Sequence, residues 1–128
     1  MSAARVLVVD DDPDFVEITR TVLQAHGFEV TSAGNGRQAL ESMRRQRPDV
    51  VILDVMMDGA IEGHDISHIM REDPELADIP ILMVSSIMDS PMADRFPTDE
   101  YLPAREFLRK PVSPDRLVER VRSALKRQ

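Results

Sequence analysis

Short runs of apolar residues, each stopping at a polar residue with possible chemistry, set the rhythm of this chain. Val6-Leu7-Val8-Val9 runs into Asp10-Asp11-Asp12, and Val50-Val51-Ile52-Leu53 runs into Asp54. Ile79-Pro80-Ile81-Leu82-Met83-Val84 stops at Ser85-Ser86. Continuous runs this short read as strands covered on both faces, as in a parallel sheet. Residues 28–33 alternate and read as a further strand, and a short one over Glu106–Arg109 ends in Lys110-Pro111.

Between the strands the spacing turns helical. Asp12-Pro13 is an N-cap with proline at the first helical position; Phe15, Ile18, Val22 and Leu23 follow as an apolar face, and Gly27 after His26 ends the helix. Asn35-Gly36 starts a second helix with Ala39, Leu40 and Met43 inward, stopping before Pro48. A third places Ile66, Ile69 and Met70 on one face and ends near Asp73-Pro74. Ser113-Pro114-Asp115 opens the last, with Leu117, Val118, Val121 and Leu125 as its stripe. Strand–helix alternation of this kind predicts an α/β fold: a doubly wound, five-stranded parallel sheet with helices on both faces. The link 88–104 breaks the rhythm. It holds Pro91, Pro97 and Pro103, so a helix there is expected to be short or irregular, at most about 92–96.

Composition narrows the picture. A chain of 128 residues, 42% apolar, suits one domain over 1–128. A formal net charge of −7 argues against nucleic-acid binding by this domain alone. With no cysteine, disulfides and thiolate metal sites are excluded. No signal peptide or membrane-length apolar run is evident, so a soluble, cytoplasmic domain is expected.

The chemistry gathers at strand ends. In an open α/β sheet, ligands bind outside the carboxyl ends of the strands. If the strands ending at Asp10-Asp11 and Asp54 are parallel neighbours, their carboxylates converge and repel unless a cation sits among them. Oxygen donors with few other ligands suit Mg²⁺, which bridges readily to phosphate. Singly, each strand-end residue has a plainer account: a solvated acid, a helix cap, a turn serine, a solvent lysine. Acids, a hydroxyl and an ammonium together are what a divalent cation and a phosphoryl group require.

Val8-Val9-Asp10-Asp11, Leu53-Asp54-Val55-Met56-Met57, Val84-Ser85-Ser86 and Lys110-Pro111 stand in the order and spacing of a known family. Over residues 5–127 the chain resembles the receiver domain of two-component response regulators. The resemblance implies a flavodoxin-like sheet in the order 2-1-3-4-5 and Asp54 as phosphoacceptor, taking the group from a histidine kinase or histidine phosphotransfer protein. Asp10, Asp11, Asp54 and the backbone carbonyl of Met56 would hold Mg²⁺. Ser85 and Lys110 would contact the phosphoryl group, Phe107 would follow Ser85 as the switch aromatic, and Lys110-Pro111 would be cis. A kinase and an unidentified downstream protein are the implied partners, with no membrane involved and a monomer or weak dimer as the assembly.

The chain departs from the family in places. The loop after Asp54 carries Asp58 where the family has proline, and it is one residue longer; loop drift is the plainer account. Where the family has a regular fourth helix, residues 88–104 carry three prolines and several acids. In the family the positions of Met56 and Ile87 flank the phosphoryl group, so two apolar groups there would hinder the hydrolytic water. Slow self-dephosphorylation is expected, and Met56→Asn with Ile87→Glu should shorten the phosphoryl lifetime; an unchanged lifetime would remove the argument. His64 and His68 are four apart, but without a third ligand they read as surface residues.

Two other functions compete. An aspartate-nucleophile phosphohydrolase would want a second acid two residues after Asp54, where Met56 stands. A nucleotide-binding flavodoxin-type fold would want a glycine-rich loop after the first strand, where three acids would repel phosphate. The expectation is therefore a signalling module and not an enzyme, beyond accepting and slowly losing its own phosphoryl group.

Overall fold

In the computed structural model, residues 3–54, 62–85, 106–109 and 112–126 are described. Strands β1 (Arg5–Val9), β2 (Glu29–Ala33), β3 (Val50–Asp54), β4 (Ile81–Ser85) and β5 (Glu106–Arg109) form one sheet in the order β2-β1-β3-β4-β5. Every pairing is parallel. Helices α1 (Pro13–Ala25), α2 (Gly36–Arg45), α3 (Glu62–Glu72) and a C-terminal helix, Pro114–Lys126, complete the described elements.

Alternation along the strands divides the core in two. Leu7, Val9, Val51, Leu53, Ile81 and Met83 point to one face, where Ala39 and Met43 of α2 and Ile66 and Met70 of α3 cover them. Val6, Val8, Val50, Ile52, Leu82, Val84 and Leu108 point to the other, under Leu23 of α1 and Leu117, Val118 and Val121 of the C-terminal helix. This is the doubly wound sheet that the apolar runs predict. The chain winds outward from β1 to β2 and then from β3 to β5. The reversal between β1 and β3 opens a crevice at their carboxyl ends.

Local chemistry sets the element ends. Asp12 accepts from the backbone N–H groups of Asp14 (3.0 Å) and Phe15 (3.5 Å), capping α1. At its other end Gly27 takes φ +88°. Phe28 N–H donates to the Leu23 carbonyl and Gly27 N–H to that of Gln24, the paired bonds of a Schellman motif. Because Phe28 spends its N–H on α1, β2 begins at Glu29 rather than at 28. For α2, Asn35 accepts from Gln38 N–H while the Gln38 side chain accepts from Gly34 N–H, a reciprocal cap close to a capping box. Strand β4 begins at Ile81, later than the expected 79: Ile79 N–H is held by the Leu76 carbonyl and Pro80 has no N–H to pair.

Two expected core positions are corrected. Ile18 is 60% exposed and Ile69 is 42% exposed. The buried stripes run instead through Thr19 and Leu23, and through Ile66, Ser67 and Met70. Ile18 and Ile69 lie roughly 100° around their helices from the middle of those stripes at 3.6 residues per turn. Thr19, one turn before Leu23, is 1% exposed, and its hydroxyl finds no hydrogen-bond partner among the described residues. Thr19→Val keeps the shape and removes that hydroxyl. It should raise stability by about 1 kcal/mol, read from the urea midpoint, and a loss of stability would reveal a partner for the hydroxyl. The expected irregularity of 88–104 and the loop with Asp58 lie outside the described residues.

Candidate functional site

The crevice at the β1/β3 reversal is where the predicted acids meet. Asp54 is the last residue of β3 and Asp10 the first after β1. Strand neighbours hold both at the same level: Val9 pairs with Leu53 and with Ala33, and Asp10 N–H continues onto the Ala33 carbonyl at 3.0 Å. Asp10 is 3% and Asp54 6% exposed, while Asp11 is exposed. One carboxylate oxygen from each of the three lies within 4.8 Å of the others. Among the described residues this is the one such group of potential metal ligands, and His68 does not join it.

Three converging carboxylates make a hard, anionic, all-oxygen donor set. Such a set fits Mg²⁺, which accepts one or two carboxylates and completes its shell with water and phosphate oxygens. Zinc sites are built mainly on nitrogen or sulfur ligands, which the cluster lacks. The β1–α1 turn is shaped around Asp10: Asp12 N–H donates to Asp10 Oδ1 at 2.9 Å. Beside the cluster runs an open cleft lined by Asp10, Asp11, Glu17, Arg20, Ser32 and Gly34. Arg20 reaches across from α1 to donate to Ser32 Oγ on β2 at 2.9 Å, and it lies 3.9 Å from Glu17. Nothing in the strand-end pattern marked Arg20 or Ser32. The only local hint was the Glu17–Arg20 spacing of one helical turn.

The remaining predicted residues divide between edge and undescribed segments. Ser85 ends β4 at the same edge, one step beyond Val84, which pairs with Asp54. It pairs with Arg109 of β5, and Phe107 pairs with Met83. Lys110, Met56 and Ile87 lie outside the described residues. The structure therefore brings Asp10, Asp11 and Asp54 together and sets the backbone of Ser85 at their edge.

Comparison with known proteins agrees with this fold. The chain is 38% identical over 127 residues to the DNA-binding response regulator MtrA of Mycolicibacterium smegmatis, a match covering 96% of this chain and 51% of MtrA. For MtrA of Mycobacterium tuberculosis (strain H37Rv) the identity is 37% over 127 residues, covering 96% of this chain and 51% of that protein. The chain thus spans about half the length of the curated relatives it matches. Among solved structures, the chemotaxis response regulator CheY4 of Vibrio cholerae superposes with a TM-score of 0.84 at 29% identity, over 97% of this chain and 100% of that one. The signal receiver domain of a signal transduction histidine kinase from Syntrophus aciditrophicus gives a TM-score of 0.84 at 27% identity, over 97% of this chain and 91% of that one. The family model for the response regulator receiver domain matches residues 6–122, nearly the whole sheet and its helices. This chain belongs to the receiver domains of two-component response regulators.

Proposed function

We propose that this domain accepts a phosphoryl group on Asp54 from a phosphohistidine of a histidine kinase or phosphotransfer protein. The observation that carries this reading is the meeting of Asp10, Asp11 and Asp54 within 4.8 Å at the carboxyl edge of the sheet. In the transfer, an Asp54 carboxylate oxygen forms a bond to phosphorus as the bond from phosphorus to the histidine nitrogen breaks. The leaving nitrogen keeps the electron pair. Such transfers depend on in-line positioning and charge neutralisation more than on covalent help. Mg²⁺, when bound, supplies positive charge for the carboxylates and the incoming phosphoryl oxygens. Asp10 and Asp11 would hold the cation, and Asp54 would contribute an oxygen to it while presenting the nucleophile. The Met56 backbone carbonyl would be a further ligand. Ser85 and Lys110 take the phosphoryl oxygens, and Phe107 reports the movement of Ser85 to the outer surface.

The domain turns over no external substrate in this reading. It gains one phosphoryl group, loses it slowly, and alters its surface for a downstream partner. Such a switch needs only a few kcal/mol of bias between two packings. MtrA carries the name of a DNA-binding regulator. If this chain serves a regulator of that kind, its net charge of −7 leaves DNA contact to another segment. The described residues include no helix long and apolar enough to cross a membrane, and a cytoplasmic monomer or weak dimer fits the proposed role.

Mass spectrometry after incubation with a small phosphodonor and Mg²⁺ tests the proposal. One retained phosphoryl group on the wild type and none on Asp54→Asn is the expected result. Continuous release of phosphate would instead favour the aspartate-nucleophile phosphohydrolase.

A further inference from the structure

Asp12 carries a role that neither its place outside the acidic cluster nor its helix-capping chemistry reveals alone. Its side chain accepts from Asp14 and Phe15 N–H at the first turn of α1, while its own N–H donates to Asp10 Oδ1 at 2.9 Å. Asp10 is anchored on its other side by its N–H bond to the Ala33 carbonyl. Asp11, the exposed member of the cluster, is thus strung between two pinned residues. We propose that Asp12 is a positioning residue for the cation site: its cap on α1 holds the Asp12 amide against Asp10, and that bond sets the Asp10 and Asp11 carboxylates relative to Asp54. The inference rests on the reading of the cluster as a Mg²⁺ site.

The rival account is that Asp12 merely caps a helix, or merely adds charge near the cluster. Mg²⁺ titration by calorimetry separates these. Asp12→Ala and Asp12→Asn remove the same carboxylate charge, but asparagine keeps the cap and alanine loses it. Asp73→Ala removes one charge and one backbone cap, that of Glu75 N–H, in the turn after α3 at the opposite edge of the sheet. Asp12→Ala keeps the N–H but loses the cap that holds it against Asp10, and should bind Mg²⁺ about tenfold more weakly, the low end of the cost of disturbing an outer partner of a metal ligand. Asp12→Asn and Asp73→Ala should stay close to wild type, although Asp73→Ala also lowers the melting temperature. Should Asp12→Ala fail to fold, Asp12→Gly, which costs a helix start less, reads the same quantity. Equal affinity in wild type and the alanine or glycine variant would overturn the proposal. So would an asparagine variant weakened as much as the alanine one. A wild type that binds no Mg²⁺ would instead overturn the reading of the cluster itself.

Discussion

Asp54→Asn is expected to abolish phosphoryl acceptance completely. Of the three clustered acids, Asp54 is the one delivered by the central strand β3, and it is 6% exposed. An amide is isosteric but neutral, so the fold should survive while the nucleophile is lost. The same substitution has an opposite effect on stability. Three carboxylates within 4.8 Å repel one another when no cation is present. The variant should therefore melt above the wild type in chelator, and the order should reverse as Mg²⁺ is added. At about a hundred times its dissociation constant, a ligand that binds only the folded state adds about 2.7 kcal/mol. For a domain of this length that corresponds to roughly 10 °C in melting temperature. A phosphoryl group retained by the variant would place the acceptor elsewhere. A wild-type melting temperature unmoved by Mg²⁺ would argue that the cluster holds no cation.

Ile52→Ala should cost about 2–5 kcal/mol, the range for emptying a packed aliphatic site. Ile52 is fully buried on β3, in register with Val8 on one side and Leu82 on the other, in the layer under α1 and the C-terminal helix. No solvent can relax into that layer, so the lost contacts leave a cavity. Against a typical total of about 5–15 kcal/mol, this is a large share of the folding free energy. Ile18→Ala deletes similar atoms from a residue 60% exposed and should change stability by about 0.5 kcal/mol or less. Urea denaturation of both variants checks the contrast. A small loss at Ile52 would mean that this layer is not packed as described.

On the helix faces, hydropathy and packing part ways. Periodicity found α1 and α3 but assigned Ile18 and Ile69 to the core, because hydropathy ranks isoleucine above threonine and serine. The structure buries Thr19 and Ser67 instead. Once a helix is long enough to cover the sheet, its angle of approach decides which of two adjacent stripes turns inward. That angle is set jointly by the side chains of each helix and of the strands beneath it, so the helix's own period does not fix it. Strand starts erred for a related reason: the N–H groups of Phe28 and Ile79 were claimed by the preceding helix end and turn.

The chain itself determined its elements, the two-faced burial of β1, β3 and β4, and the placing of an acid where β1 and β3 leave the core. Those features follow from local rules: apolar residues seek burial on both faces, and a carboxylate cannot be carried further inward. Only the tertiary structure decided that Asp54 shares one small volume with Asp10 and Asp11, more than forty positions away. Likewise only it tied Asp12 to Asp10 and Arg20 to Ser32. Distances between separate segments depend on strand order and register, and these are fixed by the collective packing of the whole sheet.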